Sequence, residues 1–334
     1  MTQNRALGIL ISPKVRATHG PDLRVVADQC GVELALREFA APRPEPVEVA
    51  FLSREMLVGS TMKEFTPRMA AAFRELTDEE SLKWLHMCSS GVDFPAIEAL
   101  LRRGVRVTTS SGANAEPMAQ TAILGVLAIS RGLPRWVRSQ AKRHWNPAPE
   151  ADWPDDLGGQ TMTLVGAGPI GREIARLAKA LRMRVVMVRR RVEELPPYCD
   201  EVHGPETLAQ LASRTDWLVL AAPLTAATRG LVSRAVIARL PRRASVVNVA
   251  RGEIVDEEAL IAALTEQRLL GAFLDVFSHE PLHPDSPLWD LPNVIISPHN
   301  AALAKGNEDR QARVFIDNLS RYLREDDMIN EVHL

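Results

Sequence analysis

The sequence predicts an α/β protein built from two doubly wound, parallel-sheet domains. Three observations lead there. Short apolar runs alternate with helix-period segments along nearly all of the 334 residues. The runs are continuously apolar, the pattern of strands covered by helices on both faces. A Pro-, Trp- and acid-rich stretch, RHWNPAPEADWPDDLGG (143–159), interrupts the series and reads as a connecting loop. A chain of this length can bury two cores of ordinary domain size.

In chain order, LGILIS, VEVAFLS, LKWLHMC and VRVTTS read as strands, with AAFRELTDEE and PAIEALLRRG as helices. A long helical stretch, NAEPMAQTAILGVLAISRGL (114–133), leads to the loop. Beyond it TMTLVGAG, MRVVMV, WLVLAA, SVVNVA, GAFLDVF and NVIIS read as strands, and IGREIARLAKAL, ETLAQLASRT and DEEALIAALTEQR as helices. Repeated strand–helix order is the signature of a doubly wound sheet. The tail GNEDRQARVFIDNLSRYLRE (306–325) is helical in period and has no strand partner, so it is expected to pack back on the first series.

Composition narrows the partners. A net charge of −2 offers no general attraction to nucleic acid or an anionic membrane. The longest apolar run, AILGVLAI (122–129), is too short to span a bilayer. The opening MTQNRALGILIS turns polar at SPKVR, too soon for a signal peptide. Cys30, Cys88 and Cys199 are far apart and have no histidine cluster beside them. This argues against a disulfide framework or a zinc site, and a reducing, cytoplasmic setting is expected.

The strongest local signal is G-x-G-x-x-G at Gly166, Gly168 and Gly171, directly after a strand and opening a helix. Gly166 permits the tight turn, Gly168 lets the backbone approach a pyrophosphate, and Gly171 allows close helix packing. The helix N-terminus offers free amides and positive dipole. Pro169 suits the first helical turn but has no N–H, so the Ile170 amide carries more of the contact. An NAD site usually has an acidic residue at the end of the next strand, for the ribose hydroxyls. Here Arg189, Arg190 and Arg191 stand there, and Glu193 and Glu194 follow. A guanidinium fork suits a 2′-phosphate by charge and geometry, so NADP is expected to be preferred over NAD.

Three polar residues follow separate apolar strands: Arg251 after SVVNVA, Glu280 after GAFLDVF and His299 after NVIISP. In a parallel sheet the strand carboxyl ends share one edge, where ligands bind. The three can therefore converge near the hydride-carrying end of a dinucleotide. Reduction of a carbonyl needs a proton donor for the developing alkoxide and a cation to polarise the oxygen. An imidazolium can donate that proton, and a neighbouring carboxylate keeps it protonated near neutral pH. An arginine can hold a carboxylate bidentately and help polarise the carbonyl. Each residue alone is more often packed or solvated; the combination carries the reading.

Five stretches together resemble the D-isomer-specific 2-hydroxyacid dehydrogenase family: VGAGPIG (165–171), AAPLTAATRGLV (221–232), VVNVARGEIVDEEAL (246–260), GAFLDVFSHEPL (271–282) and PNVIISPHNA (292–301). The resemblance implies that Arg251 binds substrate, Glu280 pairs with the base and His299 is the acid/base. It places Asp275 at the nicotinamide amide with the Ala250 backbone beside it, and Pro223 and Thr228 on the adenosine side. His279 and His283 remain loop residues. SSGVD (89–93) resembles the turn whose amides grip the substrate carboxylate, making Ser90 and Gly91 candidates. Gln120 stands where the family usually has an acidic residue. The C3 substituent would be read mostly by N-terminal loops, for example around LSREMLVGST (52–61).

The family fold implies a discontinuous substrate domain, residues 1–115 plus 302–334, and a dinucleotide-binding Rossmann domain, 116–301. The expected reaction is hydride transfer from NAD(P)H to a small 2-keto acid, glyoxylate or hydroxypyruvate in type, giving a D-2-hydroxy acid. Members usually dimerise through the cofactor domain, so a homodimer is expected, with segment 136–154 as a contact arm. Two alternatives stay open at this level: action on a phosphite- or formate-type acid, and a nucleotide-sensing interaction protein.

Overall fold

A computed structural model describes residues 6–41, 46–59, 65–92, 94–150 and 153–332. Asp93 of the SSGVD turn, and Ser60 and Thr61 of LSREMLVGST, lie outside the described residues. The chain divides into two compact units, Met1–Asn114 with Ala304–Leu334, and Ala115–Leu303.

In the first unit, β1 (Ala6–Ile11), β2 (Glu33–Glu38), β3 (Val49–Leu52), β4 (Trp84–Met87) and β5 (Arg106–Thr109) stand in the order β5-β4-β3-β1-β2, all parallel. A short C-terminal strand, Glu331–Val332, adds antiparallel to β5. One face packs on helices Pro67–Asp78 and Pro95–Arg102 through Met69, Phe73, Leu76, Ile97 and Leu100. The other packs on helices Pro13–Gln29 and Asn307–Leu323 through Val15, Leu23, Phe315 and Leu319. Pro13–Gln29 has sound start signals: Pro13 in the first turn, and Ser12 Oγ accepting the Val15 N–H at 3.3 Å. Gly20–Pro21 inside it breaks the sequence pattern, which is why no helix was expected there.

The second unit carries β6 (Thr161–Val165), β7 (Arg184–Val188), β8 (Glu201–His203), β9 (Trp217–Leu220), β10 (Ser245–Asn248), β11 (Gly271–Leu274) and β12 (Val294–Ile296). Their order is β12-β11-β10-β9-β6-β7-β8, all parallel. Strand order reverses between β6 and β9, which opens a crevice at their carboxyl ends. Strands β6, β9, β10 and β11 are almost wholly buried, between helices Ala115–Ser130 and Pro169–Ala180 on one face and Arg234–Arg239 and Glu257–Thr265 on the other. Each fully buried Val, Leu or Ile contributes roughly 1.5–3 kcal/mol, so these layers hold the crevice rigidly.

One expected helix is broken. Residues 206–215 form 3-10 turns at Pro205–Thr207 and Ala212–Arg214 around a single α turn, Leu208–Leu211. The hydroxyls of Thr207, Ser213 and Thr215 donate to the carbonyls of Gly204, Gln210 and Leu211, competing with helical continuation. Helix Leu133–Ala141 has no buried residue, and Trp136, Trp145 and Trp153 are exposed. Among the described residues no helix is long and apolar enough to cross a membrane.

Candidate active site

The glycine-rich turn lies where strand order reverses. Gly166 has φ +112°, a conformation closed to most L residues, and a Cβ there would stand 2.7 Å from the Ala221 carbonyl oxygen just past β9. A Cβ on Gly171 would stand 2.0 Å from the Gly166 oxygen, so the helix start sits directly on the turn. Gly168 differs: nothing lies within 4 Å of where its Cβ would be. It is the N-cap of Pro169–Ala180 and brings no capping side chain. An open backbone rim, uncapped helix amides and Pro169 followed by Ile170 fit a dinucleotide pyrophosphate.

At the end of β7 the Arg189 N–H donates to the His203 carbonyl at 3.0 Å. Among the described residues no ion pair or hydrogen bond engages the side chains of Arg189, Arg190 or Arg191. Their neighbours are paired: Arg184, Arg214 and His203 converge on Glu201, and Lys179 holds Asp200 at 2.9 Å. Across the crevice, the Thr228 hydroxyl donates to the Pro223 carbonyl at 2.7 Å and accepts the Thr225 N–H at 2.8 Å, tying that loop to itself.

The three polar candidates all lie in the second unit. Ala250 is buried just past β10, and its carbonyl accepts Arg251 Nη1 at 2.7 Å. Asn248 brackets this step: its Oδ1 accepts the Ala250 N–H and its Nδ2 donates to the Arg251 carbonyl, both at 3.0 Å. Sequence reasoning missed Asn248; an amide following two valines at the end of a strand was the available signal. Glu280 and His299 meet through Oε2 and Nδ1 at 2.7 Å. Glu280 Oε1 accepts the Phe277 N–H at 3.1 Å. Burial works to raise the Glu280 carboxyl, but the hydrogen bond and charge of His299, the Phe277 amide and the Arg251 charge outweigh it, and its pKa falls below the ordinary value.

Asp275, just past β11, is buried. Its carboxylate accepts the Asn300 N–H at 2.7 Å and the Ala301 N–H at 3.0 Å, while its carbonyl accepts the His299 N–H at 2.9 Å. His299 itself has φ +55°, uncommon outside glycine, and these bonds hold the turn in that shape. Ser90 and Gly91 lie in the first unit past the end of β4, where Ser89 Oγ donates to the Gly91 carbonyl at 2.8 Å. Gln120 donates to Glu116 at 3.1 Å, so the acidic group lies one helical turn earlier.

A doubly wound sheet with this glycine turn and a histidine–carboxylate pair past its strand ends defines a nicotinamide-dependent oxidoreductase. Comparison with known proteins gives the family. The D-isomer specific 2-hydroxyacid dehydrogenase, NAD binding domain, matches residues 123–301. The chain is 34% identical over 241 residues to a glyoxylate reductase of Korarchaeum cryptofilum (strain OPF8), covering 70% of this chain and 71% of the relative. It is 33% identical over 288 residues to glyoxylate/hydroxypyruvate reductase B of Klebsiella pneumoniae, covering 83% and 85%. Among solved structures, a D-isomer specific 2-hydroxyacid dehydrogenase from Xanthobacter autotrophicus Py2, in complex with NADPH and MES, aligns with TM-score 0.72 and 27% identity, covering 97% of this chain and 98% of that one. The chain belongs to the D-isomer specific 2-hydroxyacid dehydrogenase family and is an NAD(P)-dependent enzyme acting between 2-keto and 2-hydroxy acids.

Proposed function

We propose that the protein reduces a small 2-keto acid of the glyoxylate or hydroxypyruvate type to its D-2-hydroxy acid, with NADPH preferred over NADH. The observation that carries this is the 2.7 Å contact between His299 Nδ1 and Glu280. With Nδ1 engaged, Nε2 is the ring position left to deliver a proton to the carbonyl oxygen, and the carboxylate holds the ring in place for it. Arg251 would hold the substrate carboxylate and lower the charge cost at the oxygen. Ser90 and Gly91 are further substrate contacts on the strength of the SSGVD resemblance.

The bound dihydronicotinamide supplies the hydride. Gly166, Gly168, Ile170 and Gly171 would hold the pyrophosphate behind Pro169. Pro223 and Thr228 would border the adenosine side, and Ala250 and Asp275 the nicotinamide end. Arg189 and Arg190, without an acidic partner among the described residues, would take the 2′-phosphate. We also read the chain as a cytoplasmic homodimer. Its described cysteines are free thiols, and the exposed tryptophans of segment 136–154 suit burial by a second copy.

The test is oxidation of NADPH against NADH by purified protein, with glyoxylate, hydroxypyruvate, pyruvate and a bulkier 2-keto acid in parallel. Turnover of a small acid with NADPH favoured is expected. An NADH preference would make the arginine run a solvated face, and binding without turnover on every acid would overturn the substrate class.

A further inference from the structure

Glu257 has a task that its helix does not require. It opens helix Glu257–Thr265, whose N-cap Asp256 already accepts the Ala259 N–H at 2.9 Å. The Glu257 carboxylate reaches instead to the loop after β11. Its Oε2 accepts the Ser278 N–H at 3.0 Å and its Oε1 accepts the Ser278 hydroxyl at 2.7 Å. The same loop rests on Gly252, where a Cβ would stand 1.9 Å from the Phe277 carbonyl carbon and 2.2 Å from the Ser278 nitrogen. Phe277 in turn donates its N–H to Glu280 at 3.1 Å. The segment that begins with Arg251 thus grips Phe277–Ser278 at two points, and Phe277 grips Glu280.

We propose that Glu257 is a positioning residue: through Ser278 it fixes the Glu280 carboxylate against His299 Nδ1. The inference rests on the acid/base reading of that pair. Only the exposed His279 separates Ser278 from Glu280, so the loop has no other side-chain anchor between them. A carboxylate at a helix start, bonded twice to one residue, is a rigid attachment, and a small displacement of a reacting group is costly in rate. The charged groups acting on Glu280 are His299 and Arg251, so a shifted loop changes both distances together.

The test compares Glu257→Ala, Glu257→Gln and Ser278→Ala with Glu280→Gln as reference and the exposed neighbour Glu258→Gln as control. Measured are kcat and KM for the keto acid at saturating NADPH across pH, NADPH affinity and thermal midpoint. Glu257→Ala is expected to lower kcat about tenfold, with its alkaline limb moved toward that of Glu280→Gln. Glu257→Gln, which keeps one acceptor, should restore most of the loss, and NADPH affinity should hold. Should Glu257→Ala fail to fold, Ser278→Ala reads the same coupling, with a loss of about threefold expected. A wild-type pH profile in the Glu257 and Ser278 variants, alongside a shifted one in Glu280→Gln, would overturn the positioning role alone. An unshifted Glu280→Gln would overturn the acid/base reading and this inference with it.

Discussion

Each unit holds a histidine that finds hydrogen-bond partners, and the two are chemical opposites. His86, in β4, is completely buried. Trp84 Nε1 donates to Thr108 Oγ1 at 2.8 Å, and the imidazole pairs with Thr108 Oγ1 through Nδ1 at 2.7 Å and with Ser110 Oγ through Nε2 at 2.9 Å. Phe51 and Phe315 pack against the ring at centroid distances of 5.3 and 5.5 Å. Burial pushes its pKa down to about 3, so it stays neutral. The His299 side chain is 45% exposed and faces a carboxylate. His299 thus has solvent and a carboxylate beside it, whereas burial within the core denies His86 its charge.

The largest expected effect tests the exposed member. His299→Ala should lower kcat by about 10²–10⁴-fold while NADPH affinity, read by fluorescence titration, stays near wild type. Turnover close to wild type would remove the acid/base assignment. The buried member should speak through stability. Its folded pKa lies below the unfolded value of about 6.5, so its contribution is present above that pH and is lost as pH falls toward about 3. The unfolded chain takes up a proton there that the native chain refuses. His86→Gln should flatten this acid slope of the thermal midpoint, at a cost of about 1–3 kcal/mol at neutral pH. An unchanged slope would mean that other groups govern acid unfolding.

Glu280→Gln sharpens the contrast by removing the charge that His299 has and His86 lacks. The alkaline limit of keto-acid reduction should move to lower pH, with kcat lowered about tenfold at its best pH. On the acid side, the depressed Glu280 pKa means that its ion pair is kept above the ordinary carboxylate range and lost as pH falls below it. A pH–rate profile matching wild type at both limbs would show that the two residues are uncoupled.

Nine of the ten apolar runs legible as strands are buried on both faces, which leaves a continuous hydrophobic signature; the tenth, β12, is a partly buried edge strand legible from its Val–Ile–Ile run. The strands that escaped notice lie at sheet edges. β2 (ELALRE) and β8 (EVH) are only partly buried, and Glu331–Val332 is two residues long. A polar or very short edge strand is defined by the neighbour it finds more than by its own composition. The same divide runs through the site. Gly166 and Gly171 announce themselves because no other residue tolerates those contacts, and Arg251, Glu280 and His299 because their chemistry is scarce at strand ends. Asn248 and Glu257 carry no such mark.

The sequence by itself determined the strand–helix alternation, the glycine turn, the types of residue available for chemistry and the family to which the chain belongs. These follow from local requirements: periodic burial, backbone freedom and the spacing of side chains after strands. Tertiary structure alone decided the partners. It joined Glu257 to Ser278 and Asp275 to the turn after β12, each across more than a dozen residues, and it set the 2.7 Å contact of the Glu280–His299 pair that the resemblance implied. It also left one histidine exposed beside a carboxylate and buried the other in the core. Hydrogen-bond partners and solvent exposure come from segments remote in the chain, and no local pattern encodes them.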